Sequence, residues 1–205
     1  SRALPRDVTV KSLSGTLGGA TATPGAAEAT STTPSVNLTG CTRNQKSVAR
    51  LMAQPVTPSM LEFMDADCVK LAREVGGAEL PEAGALLMIE ADGTPAELDD
   101  ALAALRAAAE GDGCLEVAAA RDAAQGERLW AARKALSPAL RSIAAGKINE
   151  DVVVPVSRIA ELVEAVGGIA TRHALRIVCF GHAGNGNLHV NLLFDPGEPG
   201  IDERT

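Results

Sequence analysis

Short apolar runs alternate with amphipathic stretches from about residue 55 to the end of the chain. Three runs predict β-strands, because each is short, mostly apolar and bounded by polar or glycine residues. They are Leu86 to Glu90, Cys114 to Ala118 and Ile148 to Val154. Two further runs, Ile177 to Phe180 and Val190 to Phe194, flank a polar segment. We interpret these two runs as the arms of an antiparallel hairpin.

Between the strands, apolar residues recur at the three- and four-residue spacing of helices. Thr94, Pro95 and Glu97 form a helix start, with an N-cap, a proline at the first helical position and a capping-box glutamate. A long helix is predicted from about Arg121 to Ala144, and another helix begins after Ser157 as its N-cap. This order predicts an α+β fold, a mostly antiparallel sheet with helices packed on one face.

The first 54 residues differ in composition from the rest. Residues 12 to 40 are rich in Ser, Thr, Gly, Ala and Pro and nearly lack large apolar side chains. Such a segment buries too little surface to offset its loss of chain entropy. We therefore expect residues 1–54 to be a disordered linker or the remnant of a preceding domain, and residues 55–205 to form the folded domain.

Composition excludes several classes of protein. A chain of 205 residues with 46% hydrophobic residues is long and apolar enough for one domain with a core. Its net charge of -7, from 19 basic and 26 acidic residues, disfavours contact with nucleic acid phosphates, so we expect no nucleic acid partner.

Cysteine spacing and hydropathy indicate a cytoplasmic setting. The four cysteines form no Cys-x-x-Cys pair, so neither a zinc knuckle nor a disulfide framework is indicated. No run approaches the roughly 18 apolar residues of a membrane span, and the N-terminus lacks the apolar core of a secretory signal. Peripheral membrane association, a homo-oligomer and a place in a complex all stay open.

The polar segment between the hairpin arms, residues 181–191, contains two of the three histidines of the chain. Asn185-Gly186 is typical of a two-residue type I′ turn. A turn there places His182 directly opposite His189, with β-carbons about 4.5–5.5 Å apart. Two imidazoles so placed can share a divalent cation, and Asn191 follows on the same face as a polar substrate contact. The alternative is that the histidines merely cap a surface hairpin.

Four segments of the chain resemble one known family, and they occur in the family's order. Residues 180–189, FGHAGNGNLH, resemble its His-x-Gly-Asp-Gly-Asn-x-His signature, with Asn185 in place of the usual aspartate. Residues 129–134 resemble its Leu-Trp-x-x-Arg segment, residues 150–158 its Asp-Val-x-Val-Pro-x-Ser-Arg segment, and residues 58–65 its Leu-Glu-x-Met-Asp. The family is that of the FAD-linked oxidases, which includes D-lactate dehydrogenase, the FAD subunit of glycolate oxidase and D-2-hydroxyglutarate dehydrogenase. The resemblance is to their C-terminal substrate (cap) domain.

The resemblance implies an α+β domain with ferredoxin-like elements, and it implies roles for individual residues. A divalent metal, zinc, manganese or iron, is implied together with FAD as cofactors. Taken without the family, the helix and loop positions among these residues are ordinary solvated side chains. The implied substrate contacts are Arg133, Ser137, Lys147 and Asn191, and the implied metal ligands are His182 and His189.

The resemblance also implies that other parts of the enzyme lie outside these residues. The family's FAD domain precedes the aligned region, and residues 1–54 lack its Pro-Gly-Gly-rich phosphate-binding pattern, although Ser14 to Gly18 faintly resembles the end of that domain. The family's third metal ligand, a glutamate, and its catalytic histidine lie in a motif beyond Thr205. We therefore expect no catalytic base within the chain, and a domain truncated at its C-terminus.

Three hypotheses follow from these observations. The first is that the chain is a fragment of an FAD-dependent oxidoreductase that oxidises a small D-2-hydroxy acid, D-lactate or glycolate, to the 2-oxo acid, with little turnover alone. The second is a noncatalytic α+β module that binds a small acid or a metal and lacks its flavin domain. The third is a structural domain whose hairpin binds nothing. The sequence identifies neither the electron acceptor nor which acid is the substrate.

Overall fold

A seven-stranded antiparallel sheet runs through the residues that the computed structural model describes, which are 35–42, 46–76, 80, 82–120 and 123–205. The strand order is β4-β1-β3-β2-β6-β7-β5, and every neighbouring pair is antiparallel. This confirms the predicted α+β class. The strands are β1 (Ser35–Thr42), β2 (Met60–Asp65), β3 (Ala85–Asp92), β4 (Cys114–Ala119), β5 (Gly146–Val153), β6 (Arg176–His182) and β7 (Asn187–Phe194). The helices are α1 (Lys46–Ala53), α2 (Ala66–Gly76), α3 (Pro95–Ala109), α4 (Ala123–Ile143), α5 (Ile159–His173) and α6 (Ile201–Arg204).

Two split β-α-β units build the sheet. In the first, β1-α1-β2 and β3-α3-β4 give the strand order β4-β1-β3-β2, which is the ferredoxin-like arrangement, with α2 inserted between β2 and β3. In the second, β5-α5-β6 straddles β7. The units join where β2 pairs with β6, and this pairing places Glu62 opposite His182.

Helices cover both faces of the sheet, rather than the single face that the sequence predicts. Leu61 and Phe63 of β2 belong to a core that also contains buried residues of α1, α3 and α5. Met64, the next residue along β2, belongs to a second core with α2 and α4. Successive strand side chains point to opposite faces, so a strand buried on both sides reads as a continuous apolar run. The run LLMI at residues 86–89 carries that signal.

Residues 35–42 and 46–53, which composition places in the linker, instead form β1 and α1 of the folded domain. Strand β1 lies between β3 and β4, and Val48 and Leu51 of α1 are fully buried. Helix α3 packs on this strand: a β-carbon at Gly40 of β1 would lie in ordinary contact distance, 4.0 Å, from the β-carbon of Ala109. Residues 1–34, including the segment from Ser14 to Gly18, lie outside the described residues.

The β6–β7 hairpin has a different register from the predicted one. His182 lies opposite Asn187, and Phe180 lies opposite His189. The connection is a short 3₁₀ turn, Ala183–Asn185, closed by Gly186 at φ 79°, so it is a four-residue loop and not a two-residue type I′ turn. The register differs by two residues, which preserves the alternation of side chains. Both histidines therefore stay on one face, but as diagonal neighbours.

Of the two predicted N-cap residues, Thr94 is an N-cap in the structure and Ser157 is not. Thr94 is the N-cap of α3 and Pro95 its first residue, and the Glu97 carboxylate accepts a hydrogen bond from the Thr94 N–H at 2.9 Å, as predicted. Ser157, predicted as an N-cap, lies within a 3₁₀ turn, Val156–Arg158, that leads into α5. A bilayer-spanning helix is absent from the described residues.

Gly186 gives the first test of the fold. A β-carbon there would lie 1.9 Å from the carbonyl oxygen of Val154, and the backbone is in the left-handed region. We expect Gly186→Ala to lower the free energy of unfolding by about 2 kcal/mol or more, measured by urea denaturation. The control is Gly167→Ala in α5, where nothing lies within 4 Å and alanine should stabilise the helix by roughly 0.5–1 kcal/mol. Equal effects at the two positions would contradict the hairpin geometry.

Asp65 gives a second test, based on pH. Its carboxylate accepts hydrogen bonds from the backbone N–H groups of Cys68 in α2 and Cys179 in β6, and burial raises its pKa to about 6. Between about pH 4 and 6 the folded chain holds a proton on Asp65 that the unfolded chain has lost. This group should therefore make the free energy of unfolding fall by roughly 2–3 kcal/mol as the pH rises through that window. Urea denaturation of Asp65→Asn at several pH values should show that this fall in the free energy of unfolding is lost. An unchanged pH dependence would refute the raised pKa of Asp65.

Candidate active site

The candidate residues of the strands lie on the sheet face that α2 and α4 cover. Strand β7 presents Asn187, His189 and Asn191 on this face, because strand side chains alternate. His189 lies opposite Phe180 of β6 and opposite Asp151 of β5. The side chains of these three residues therefore lie on the same face of the sheet. The structure thus brings the predicted strand residues to one surface, and these are His182, His189, Asn191 and Lys147.

The two histidines form a pair. The ring centroids of His182 and His189 are 5.6 Å apart, and the rings are inclined at 76°. The side chain of His182 is 51% exposed and that of His189 is 25% exposed, so both rings remain accessible. The predicted same-face pair is confirmed, although the two residues are not directly opposed.

Each histidine is bonded through Nδ1 to a carboxylate. Nδ1 of His182 contacts Oε1 of Glu62, and Nδ1 of His189 contacts Oδ1 of Asp151. An ionised carboxylate only accepts hydrogen bonds, so each Nδ1 is the donor in these contacts, and Nε2 is the ring nitrogen that faces away from the carboxylate. Histidines that ligate metals through Nε2 characteristically have such a partner on Nδ1.

Glu62 also pairs with Arg133. Nε of Arg133 donates a hydrogen bond to Oε2 of Glu62 at 2.8 Å, and Nη2 lies 2.7 Å from the same oxygen in an ion pair. The Glu62 side chain is only 3% exposed. The guanidinium carbon lies 4.5 Å from the ring centroid of Phe180, a cation–π contact. Phe180 in turn lies 5.5 Å from the ring of His189. One carboxylate and one aromatic ring therefore connect Arg133 with both histidines.

The remaining predicted substrate contacts differ in placement. Asn191 is fully buried, its amide donates to the carbonyl oxygen of His189 at 3.2 Å, and its Oδ1 has no hydrogen-bond partner. Ser137 is half-buried on α4, one turn beyond Arg133. Lys147 lies four residues before Asp151, about 13 Å along β5, so it is the most distant from the histidine pair. Partial burial and then the positive charge of Arg141 lower the pKa of Lys147.

His182 and His189 are the two candidate metal ligands that lie together in the described residues. Among the described residues, no group of three or more His, Cys, Asp or Glu side chains is arranged to hold a metal ion. The carboxylates nearest to the histidines, Glu62 and Asp151, contact the Nδ1 side of each ring. What the site offers a cation is therefore the pair of Nε2 atoms.

A cleft of about 310 Å³ reaches the site at the ends of the strands. Its lining includes Glu62 and His182, together with Thr57, Ser59 and Gly184. A larger cavity of about 900 Å³ lies along α2 and contains none of the candidate residues. The smaller cleft thus opens onto the Glu62 and His182 end of the candidate site.

Sequence reasoning missed Glu62 and Asp151 as site residues. Both lie in segments that resemble the family, but their partners are far away along the chain: Glu62 is 71 residues from Arg133 and 120 from His182. One signal was available. Glu62 interrupts the apolar run of β2, and a charge in a strand that is otherwise buried usually has a partner or a function.

The fold and this site define an α+β domain that presents two imidazoles and a guanidinium on one face of an antiparallel sheet. Residues 30–205 match the family model described as "FAD linked oxidases, C-terminal domain". The chain belongs to this family.

Curated relatives in the family are named for small hydroxy acids. The chain is 32% identical over 151 residues to the glycolate oxidase subunit GlcD of Bacillus subtilis, a match that covers 73% of this chain and 32% of the relative. It is 31% identical over 175 residues to a D-lactate dehydrogenase of Anaerostipes hadrus, covering 82% of this chain and 36% of the relative. The chain thus spans about a third of the length of these relatives.

Solved structures support the fold. Alkyldihydroxyacetonephosphate synthase aligns with a TM-score of 0.57 at 11% identity, covering 83% of this chain and 38% of that chain. 4-Ethylphenol oxidase from Gulosibacter chungangensis aligns with a TM-score of 0.52 at 14% identity, covering 78% and 39%. At these identities the likeness concerns the fold alone.

The pairing of Glu62 with Arg133 is testable by a double-mutant cycle. Glu62→Gln and Arg133→Met should each lower the free energy of unfolding by about 3 kcal/mol, because each leaves a buried charge without its counter-charge. The double variant should lose clearly less than the sum, since neither charge remains. Urea denaturation of the four proteins gives the coupling energy. Additive losses would mean that the two side chains do not interact.

Proposed function

We propose that this chain provides the substrate site of an FAD-dependent oxidoreductase that oxidises a small D-2-hydroxy acid, D-lactate or glycolate, to the 2-oxo acid. One observation carries the proposal: two imidazoles with open Nε2 atoms lie beside a guanidinium, and one buried carboxylate contacts both kinds of group. The names of the relatives, a glycolate oxidase subunit and a D-lactate dehydrogenase, support this substrate class.

The carboxylate of the acid is assigned to Arg133, with Ser137 and Lys147 on the same side of the site. Nε and Nη2 of Arg133 are held by Glu62, whereas Nη1 has no hydrogen-bond partner among the described residues. A fixed guanidinium with one free edge can donate to a carboxylate without first ordering its own side chain. Asn191 adds an acceptor, because its buried Oδ1 has no partner and can accept from a hydroxyl group.

The residues fit a divalent cation on the histidine side of the site. His182 and His189 would hold zinc, manganese or iron through Nε2, since imidazole suits these metals and both Nδ1 atoms are already bonded. A bound cation of this kind lowers the pKa of a hydroxyl group that it contacts, and a flavin accepts a hydride. The part of this chain is to place the hydroxyl and the carboxylate of one substrate side by side.

We place FAD mainly on another domain, as the organisation of the family implies, and we assign the chain to the cytoplasm and to a larger enzyme or complex. The relative from Bacillus subtilis is itself named a subunit. The net charge of -7 favours solubility and disfavours nucleic acid. The activity is therefore a property of the assembled flavoprotein.

Calorimetric titration of the 205-residue chain with Zn²⁺ tests the proposal. We expect His182→Ala to weaken Zn²⁺ binding at least tenfold, because only two ligands come from the described residues. His173→Ala is the matched control, since His173 lies in α5 away from the site, and it should bind Zn²⁺ as the unmodified chain does. Equal Zn²⁺ affinity of His182→Ala and the unmodified chain would reject the site.

A further inference from the structure

Glu62 divides its carboxylate between two partners from distant parts of the chain. Oε2 accepts a hydrogen bond from Nε of Arg133 in α4 and forms an ion pair with its Nη2, and Oε1 faces Nδ1 of His182 in β6. The Glu62 side chain is 3% exposed and the Arg133 side chain 11% exposed, so water has little access to the carboxylate itself. The acid-binding and cation-binding halves of the site therefore have this one carboxylate in common.

We propose that Glu62 is a positioning residue that fixes His182 in its Nδ1–H tautomer and holds Arg133 in the same rigid unit. The open Nε2 of His182 follows from this tautomer, because a neutral imidazole carries only one N–H. The fixed tautomer does not depend on the function proposed above. Its consequence for metal binding does rest on that function.

Asp151 acts on His189 in the same way but less firmly. Its side chain is 42% exposed, and its Oδ1 also accepts from the Asn149 amide at 3.4 Å. Water can take the place of a partner at such a position, so its orienting effect is weaker. We therefore expect a substitution at Glu62 to have the larger effect of the two.

Glu62→Gln discriminates between positioning and mere packing, because glutamine has the same shape but only one oxygen. The guanidinium of Arg133 cannot accept a hydrogen bond and makes the stronger, charge-assisted bonds, so it takes that oxygen. The amide NH₂ then faces His182 and donates to Nδ1. His182 must accept there, which moves its hydrogen to Nε2 and removes the lone pair that a metal needs.

Nitrogen-15 NMR of the histidine rings determines the tautomer of His182 directly in the metal-free 205-residue chain. The chain has only three histidines, and His173 serves as an internal reference. The spectra are recorded at about pH 8.5, roughly two units above the ordinary pKa of an imidazole. In the unmodified chain we expect His182 and His189 to be Nδ1–H tautomers. In Glu62→Gln only His182 should change, to the Nε2–H tautomer, and in Asp151→Asn only the signals of His189 should shift. An unchanged His182 in Glu62→Gln would overturn the proposal.

Titration with Zn²⁺ tests the consequence for binding. We expect Glu62→Gln to weaken Zn²⁺ binding about 10- to 100-fold, the range typical of lost orienting partners, and Asp151→Asn to weaken it less. Glu116→Gln is the matched control, because Glu116 is exposed on β4 at the opposite edge of the sheet. Undiminished Zn²⁺ affinity in Glu62→Gln would contradict the positioning role. Absence of Zn²⁺ binding by the unmodified chain would instead reject the proposed function and leave the NMR result to decide on Glu62.

A double variant covers the case in which Glu62→Gln does not fold. With Arg133→Met added, no buried charge is left unpaired and the glutamine oxygen is free to accept from His182. We expect the Nδ1–H tautomer of His182 and part of the Zn²⁺ affinity to return in this double variant. If Glu62→Gln acted only by disturbing the packing at position 62, neither property would recover. A folded double variant in which neither recovers would overturn the proposal.

Discussion

The site depends on one buried carboxylate. A charge in a strand that is otherwise apolar is costly unless it is paired, and Glu62 meets that demand with a guanidinium from α4 and an imidazole from β6. Pairing of this carboxylate fixes the relative positions of β2, β6 and α4. Strands β2 and β6 are the pair at which the two split β-α-β units join, and α4 is the long helix that covers this face.

The local parts of the fold could be predicted from the sequence because their signals are local. Strand β3, the hairpin arms and the start of α3 follow from short apolar runs and from the Thr94 capping box. Strand β1 could not be predicted because Ser, Asn, Thr and Gly outnumber its large apolar residues, and its place in the sheet depends on pairing with the distant strands β3 and β4. Helices on both faces follow from tertiary packing, which periodicity in any single strand indicates only weakly.

In the candidate site, too, the features with a local sequence signal could be predicted and those that depend on long-range contacts could not. The two histidines could be placed on one face because strand alternation survives an error of two residues in register, and the resemblance supplied Arg133 and Asn191. The carboxylates could not be found in this way. Which residue faces Nδ1 of His182 depends on a contact across 120 residues of chain, and no spacing along the sequence encodes that contact.

The most direct measurement is a crystal structure of the chain grown with Zn²⁺ and recorded at the zinc absorption edge. The account predicts an anomalous peak about 2.0–2.1 Å from Nε2 of both His182 and His189, with Glu62 still between His182 and Arg133. A peak on Nδ1 of either ring, or a Glu62 carboxylate turned away from Arg133, would contradict it.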